Sequence, residues 1–105
     1  MEIIYWNEKV KKFIDNFDLI TSSRIKKTIN CLEESGHLIG MPDSKSLGKG
    51  LFELRTLGNK QIRILYIFHK NRAYLIHSFI KKAWRLRRKD INYARRIQGE
   101  IIRLA

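Results

Sequence analysis

The sequence predicts an α+β domain, and three observations carry that prediction. β-branched and aromatic residues gather over residues 2–6 and again in three runs between 52 and 80, apolar residues recur at helical spacing over 10–17, 25–32 and 91–104, and short turn-rich segments separate the middle runs. The expected arrangement is an antiparallel sheet, made of an N-terminal strand plus a three-strand meander, packed against an N-terminal helix pair and followed by a C-terminal helix. With 105 residues the chain has room for one hydrophobic core, so residues 1–105 read as a single domain.

The elements follow in order. Glu2–Trp6 is β-branched and aromatic, and Asn7 is a good N-cap, so a short strand runs into a helix that carries Val10, Phe13, Ile14 and Phe17 on one stripe and ends near Asp18. Thr21-Ser22-Ser23 marks a second start, Ile25, Ile29 and Leu32 continue the stripe, and Gly36 supplies a C-cap. Residues 39–50, with the only proline and three of the six glycines, read as a loop bearing Lys45 and Lys49. Phe52–Thr56, Gln61–Phe68 and Arg72–Ile80 form the meander, joined through LGNK and HKN. A basic connector then leads into a helix through Ile91, Ala94, Ile97, Ile101 and Leu104.

Charge narrows the choice of partner. Twenty-two Lys and Arg against ten Asp and Glu give +12, an electrostatic footprint suited to nucleic acid. The excess sits in one half: residues 1–50 hold eight basic and seven acidic residues, residues 51–105 fourteen and three. Residues 81–89 alone contain six basic residues and no acid, which repel one another unless an anion relieves them, so Lys82, Trp84, Arg85, Arg87 and Arg88 are candidate RNA contacts together with Lys45 and Lys49. The competing reading is a solvated helix start, with Trp84 partly buried against the last helix.

Some chemistry is disfavoured. Cys31 has no partner for an intramolecular disulfide and lies in a helical apolar pattern, which suits a core position in a reducing compartment. Three scattered histidines make no metal-ligand set, no phosphate-binding glycine motif is present, and no cofactor is expected. No apolar run approaches the ~18 residues of a membrane span and no basic-then-apolar leader opens the chain, so a cytoplasmic protein without membrane contact is expected.

Strand parity sorts the sheet residues. Phe52, Leu54, Ile62, Ile64, Tyr66, Phe68, Tyr74, Ile76 and Ile80 fall on one apolar face, which should pack beneath the helices. Glu53, Arg55, Arg63, Leu65, Ile67, Leu75, His77 and Phe79 fall on the other. If the meander pairs in this way, Arg55, Arg63 and His77 line one concavity, with Lys49 entering from the loop and Lys81 and Lys82 from the strand end. Fixed cations around a phosphodiester stabilise the charge that builds as phosphorus becomes five-coordinate, and His77 is able to carry a proton either way. Each has a plainer reading: Arg55 in a surface ion pair with Glu53, His77 as a hydrogen-bonded structural histidine. Arg63, set in an otherwise apolar strand, is the hardest to explain without a function.

In this order of elements, the segments Lys49–Arg55 (KGLFELR), Ile62–Phe68 (IRILYIF) and His77–Lys82 (HSFIKK) resemble the RelE/ParE superfamily of toxins, and within it the HigB-like, phage-derived branch of type II toxin–antitoxin systems. The match spans nearly the whole chain. The resemblance implies a RelE-like fold and a ribosome-dependent mRNA endonuclease that needs no metal, acts through the ribose 2′-hydroxyl and is inhibited by a cognate antitoxin, often a helix-turn-helix protein of the adjacent gene. Carried over, Arg55 and Arg63 stabilise the phosphate, Lys81 acts as acid or charge stabiliser, Lys49 grips the backbone and His77 is the base. The sequence departs from its relatives after HSFIKK, where Ala83–Asp90 (AWRLRRKD) stands in place of polar residues and a proline. Two further readings belong to other classes: a ParE-like gyrase inhibitor without nuclease activity, and a non-enzymatic basic module that binds RNA or DNA.

Overall fold

The computed structural model describes residues 1–56, 58 and 60–105. Strand β1 (Glu2–Tyr5) leads into helix α1 (Glu8–Asp15) and helix α2 (Leu19–Ser35), and a short 3-10 helix (Gly36–Leu38) precedes strands β2 (Ser44–Gly48), β3 (Leu51–Thr56), β4 (Ile62–His69) and β5 (Arg72–Ile80), with helix α3 (Arg88–Leu104) last. The five strands form one mixed sheet in the order β1-β5-β4-β3-β2. The α+β class, the helix pair, the meander and the C-terminal helix are as the sequence predicts. The LGNK segment, expected to form a turn, includes Leu57 and Asn59, which lie outside the described residues.

Four details differ. β1 joins the sheet parallel to β5, Glu2 opposite Arg72 and Tyr5 opposite Leu75, because the helix pair returns the chain to the far side of the sheet before the meander begins. The segment read as a loop contains β2, which pairs antiparallel with β3 and puts Lys45 opposite Glu53. Its sequence, SKSLG, has the small polar character of an exposed edge strand, which hides it from propensity reasoning. α2 starts earlier than Thr21, since the Asp18 carboxylate caps it by accepting from Thr21 N. The Asn7 cap of α1 is as expected, its Oδ1 accepting from Val10 N at 3.1 Å.

The fourth difference is a bulge in β5. Leu65 faces His77 and Tyr66 faces Leu75, so Ile76 is an extra residue. The parity of β5 therefore flips there. Ala73 and Leu75 join the core under α1 and α2 with Leu54, Ile62, Ile64 and Tyr66, whereas Tyr74 and Ile76 join a second core with Leu51, Leu65, Ile67 and Phe79. That second core is closed by Ala94, Ile97 and Ile101 of α3, helped by Leu86 of the connector. Both faces of the sheet are covered, rather than one.

Candidate functional site

The antiparallel register arranges the second face in transverse rows. Lys45, Glu53, Leu65 and His77 stand in one row, and Arg55, Arg63 and Phe79 in the next. Arg63 and His77 are thus diagonal neighbours on one face, as parity implies. Their accessibility differs. Arg63 is 2% exposed on the face that α3 and Leu86 cover, where its guanidinium donates to Ile62 O and Gln61 Oε1, each at 2.9 Å. Glu53, 3% exposed, puts Oε1 at 3.6 Å from Arg63 Nε and 3.3 Å from Arg55 Nε, so one buried carboxylate serves two guanidiniums. Burial lowers the Arg63 pKa, Glu53 raises it and neighbouring Arg55 lowers it again. The open concavity expected around Arg55, Arg63 and His77 is closed over Arg63, while Arg55 remains partly exposed.

His77 stands at an opening of its own. Its Nε2 lies 2.8 Å from Asp90 Oδ1, and the other carboxylate oxygen receives Arg87 Nε at 3.2 Å. Asp90 is buried in the first turn of α3, where a carboxylate also meets the positive end of the helix dipole. The imidazole is flanked by Tyr93 and Phe79, with ring centroids 4.9 and 5.1 Å away. A cleft of about 280 Å³ opens beside the pair, lined by Asn7, Lys9, Val10 and Phe13 of the α1 region, Ile76, His77 and Ser78 of β5, and Lys89, Asp90 and Tyr93 of α3. Residue patterns pointed to His77 but missed Asp90. The signal was there: Asp90 is the only carboxylate between Glu53 and Glu100, in the most basic part of the chain.

The remaining basic residues divide by position. Lys81 follows β5, its N–H donating to Gln61 O at 2.7 Å, and is half-buried. Lys82, Trp84, Arg85, Arg87 and Arg88 are exposed along the connector and the start of α3. Trp84 is 81% exposed rather than packed on the helix, and Arg85 lies over its ring at 4.7 Å from the centroid. Lys49 does not approach Arg55. It sits in the β2–β3 turn, beside Leu51, and Arg55 is four residues further along β3, roughly 13 Å away. That turn is tied to α3, with Arg95 donating to Leu47 O and Gly48 O and Gln98 Nε2 to Lys49 O. Lys45 is exposed on edge strand β2 in the row of Glu53. Among the described residues no three His, Cys, Asp or Glu side chains are grouped to hold a metal ion, and no helix is long and apolar enough to cross a membrane.

The family model described as "Phage derived protein Gp49-like (DUF891)" matches residues 12–98, from within α1 to within α3. The chain belongs to this family. Gp49-like proteins are associated with RelE-like toxins, and the α+β architecture seen here is compatible with the RelE-like fold. In general terms, then, this Gp49-like chain groups with the toxins of toxin–antitoxin systems. A comparison with curated proteins returned no match.

Proposed function

We propose that this Gp49-like protein is a HigB-like toxin that cuts mRNA on the ribosome without a metal ion and is held inactive by a cognate antitoxin, a helix-turn-helix protein from the adjacent gene. The observation that carries the reading is the His77–Asp90 pair at the mouth of a cleft, beside a connector of exposed cations. With Asp90 accepting from Nε2–H, the neutral ring keeps its lone pair on Nδ1, the form a general base needs. The 2′-hydroxyl gives its proton to Nδ1 as its oxygen bonds to phosphorus. The bond from phosphorus to the 5′ oxygen breaks, and Lys81 supplies the proton that oxygen needs, leaving a cyclic phosphate and a 5′-hydroxyl. Arg55 and the connector cations offset the charge on the phosphoryl oxygens. Arg63 acts at one remove, by fixing Glu53 and through it Arg55.

The test is cleavage of mRNA engaged on ribosomes by the purified protein. His77→Ala should abolish cutting in a protein that circular dichroism shows to be folded, and Asp90→Asn should slow it. A His77→Ala protein that cuts as the parent does would overturn the assignment. The burial of Arg63 favours one competing reading, a non-enzymatic RNA-binding module, whose signature is salt-sensitive binding with no cleavage products.

A further inference from the structure

Proton transfer at His77 needs only the Nδ1 lone pair and a partner, yet the cleft beside it is far roomier. It opens where the sheet ends: β1 pairs with β5 only as far as Leu75, which accepts from Trp6 N at 2.9 Å, and among the described residues no strand pairs with that edge of β5 from Ile76 on. The chain turns away there into α1, and the bulge at Ile76 coincides with the gap. The outcome is a slot lined by apolar and aromatic side chains (Val10, Phe13, Ile76 and Tyr93), by polar ones (Asn7, Ser78 and His77) and by a lysine from each flanking helix, Lys9 and Lys89. Asn7 uses Oδ1 for its cap bond to Val10, a bond in which its amide Nδ2 takes no part.

We propose that this slot receives one unpaired nucleobase of the RNA strand, with its ribose against His77 and the flanking phosphates at Lys9 and Lys89. The choice of RNA rests on the nuclease reading given above. Three features select a base over a peptide. The volume of about 280 Å³ is at the lower limit of ligand pockets, suited to one planar ring system and too small for an extended segment. Aromatic and apolar walls offer the stacking that every base accepts. The lysines stand where a strand threading the slot carries its negative charges, and the one acid lining it, Asp90, is already engaged by His77 and Arg87. Tyr93 touches the imidazole on one side and lines the slot, so the same ring would register the base against the group that takes the 2′ proton.

The experiment measures binding, not cutting. A fluorescent tetranucleotide with 2′-O-methyl riboses, which cannot be cleaved by 2′-hydroxyl attack, is titrated against the intact protein, alongside an abasic oligomer of the same length. Tyr93→Leu should weaken the tetranucleotide about tenfold, the loss of one base–aromatic stack, and leave the abasic oligomer unchanged. Lys9→Glu with Lys89→Glu should weaken both and flatten the dependence of log affinity on log salt by about 1.4, two single-strand phosphate contacts. Melting curves of both variants serve as the check on folding. If both variants bind the tetranucleotide within about twofold of the parent, far short of one stack, or if the parent binds the abasic oligomer equally well, the slot does not hold a base and the proposal fails. A protein that binds as expected but never cuts ribosome-engaged mRNA overturns the nuclease reading alone.

Discussion

Glu53→Gln isolates the contribution of a single carboxylate to holding a buried cation. Glu53 and Arg63 are 3% and 2% exposed, and among the described residues neither Arg63 Nε nor Arg55 Nε has a hydrogen-bond partner, so the carboxylate acts on both mainly through charge. An arginine does not escape by losing its proton, even though burial pushes the Arg63 pKa down. A neutral amide in place of the carboxylate would leave that cation without a counter-charge. Breaking a buried pair from one side costs about 3–5 kcal/mol, and the retained amide oxygen puts this case near ~3. At roughly 4–8 °C per kcal/mol for a domain of this size, the melting temperature should fall by at least ~12 °C. Arg63→Met should cost less, because it removes the buried charge itself while Glu53 keeps Arg55, and adding it to Glu53→Gln should recover much of the loss. Thermal and urea unfolding followed by circular dichroism would measure all three. A Glu53→Gln protein within about 0.5 kcal/mol of the parent, the range of an ordinary surface change, would refute the view that Arg63 depends on Glu53. The same set bears on function: a folded Arg63→Met protein that still arrests growth would make Arg63 part of the scaffold.

Three further outcomes are expected. Tyr66→Phe removes the hydroxyl bonded to buried Ser44 Oγ at 2.5 Å and should cost about 1–2 kcal/mol in urea unfolding. Burial raises the Tyr66 pKa above its ordinary 10.0, with the Ser44 bond pulling the other way, so the neutral phenol stabilises the fold below that value and the contribution is lost as pH rises through the folded pKa; the decline in stability above pH 10 should be shallower in Tyr66→Phe. Arg95→Ala releases the carbonyls of Leu47 and Gly48 and should speed amide hydrogen exchange in the β2–β3 turn, leaving the β4–β5 amides protected. Replacing Arg85, Arg87 and Arg88 with Gln should reduce the salt slope of RNA binding by about 2 if each meets one phosphate, read by anisotropy; an unchanged slope would remove the connector from the interface.

Much of the fold is legible because its elements carry strong periodic signals. The stripe Val10, Phe13, Ile14 marks α1, which stops at Asp15 rather than near Asp18, and Ala94, Ile97, Ile101 marks α3, and the apolar runs of β4 and β5 can hardly be anything but strands. What escapes is what depends on partners distant in sequence. SKSLG becomes a strand only because β3 offers it a ladder. The bulge at Ile76 is invisible to parity, which assumes an unbroken ladder, so Tyr74, Leu75 and Ile76 are assigned to the wrong layers. Nor does the α3 stripe say which side of the sheet it will cover, and that side is the one that carries Arg63. The candidate site is legible in part, with His77 named from its setting and Asp90, thirteen residues on and on another element, found only when α3 is in place.

The extra residue in β5 works as a phase shift. Upstream of it, the strand is committed to β1 and to the packing under the helix pair; downstream, it presents His77 and Phe79 to the opposite layer. Because the two halves keep separate registers, changes that adjust the rim of the slot need not disturb the half that holds β1 in the sheet. Deleting Ile76 would couple the halves again, turning either the aliphatic residues or the imidazole toward the wrong layer.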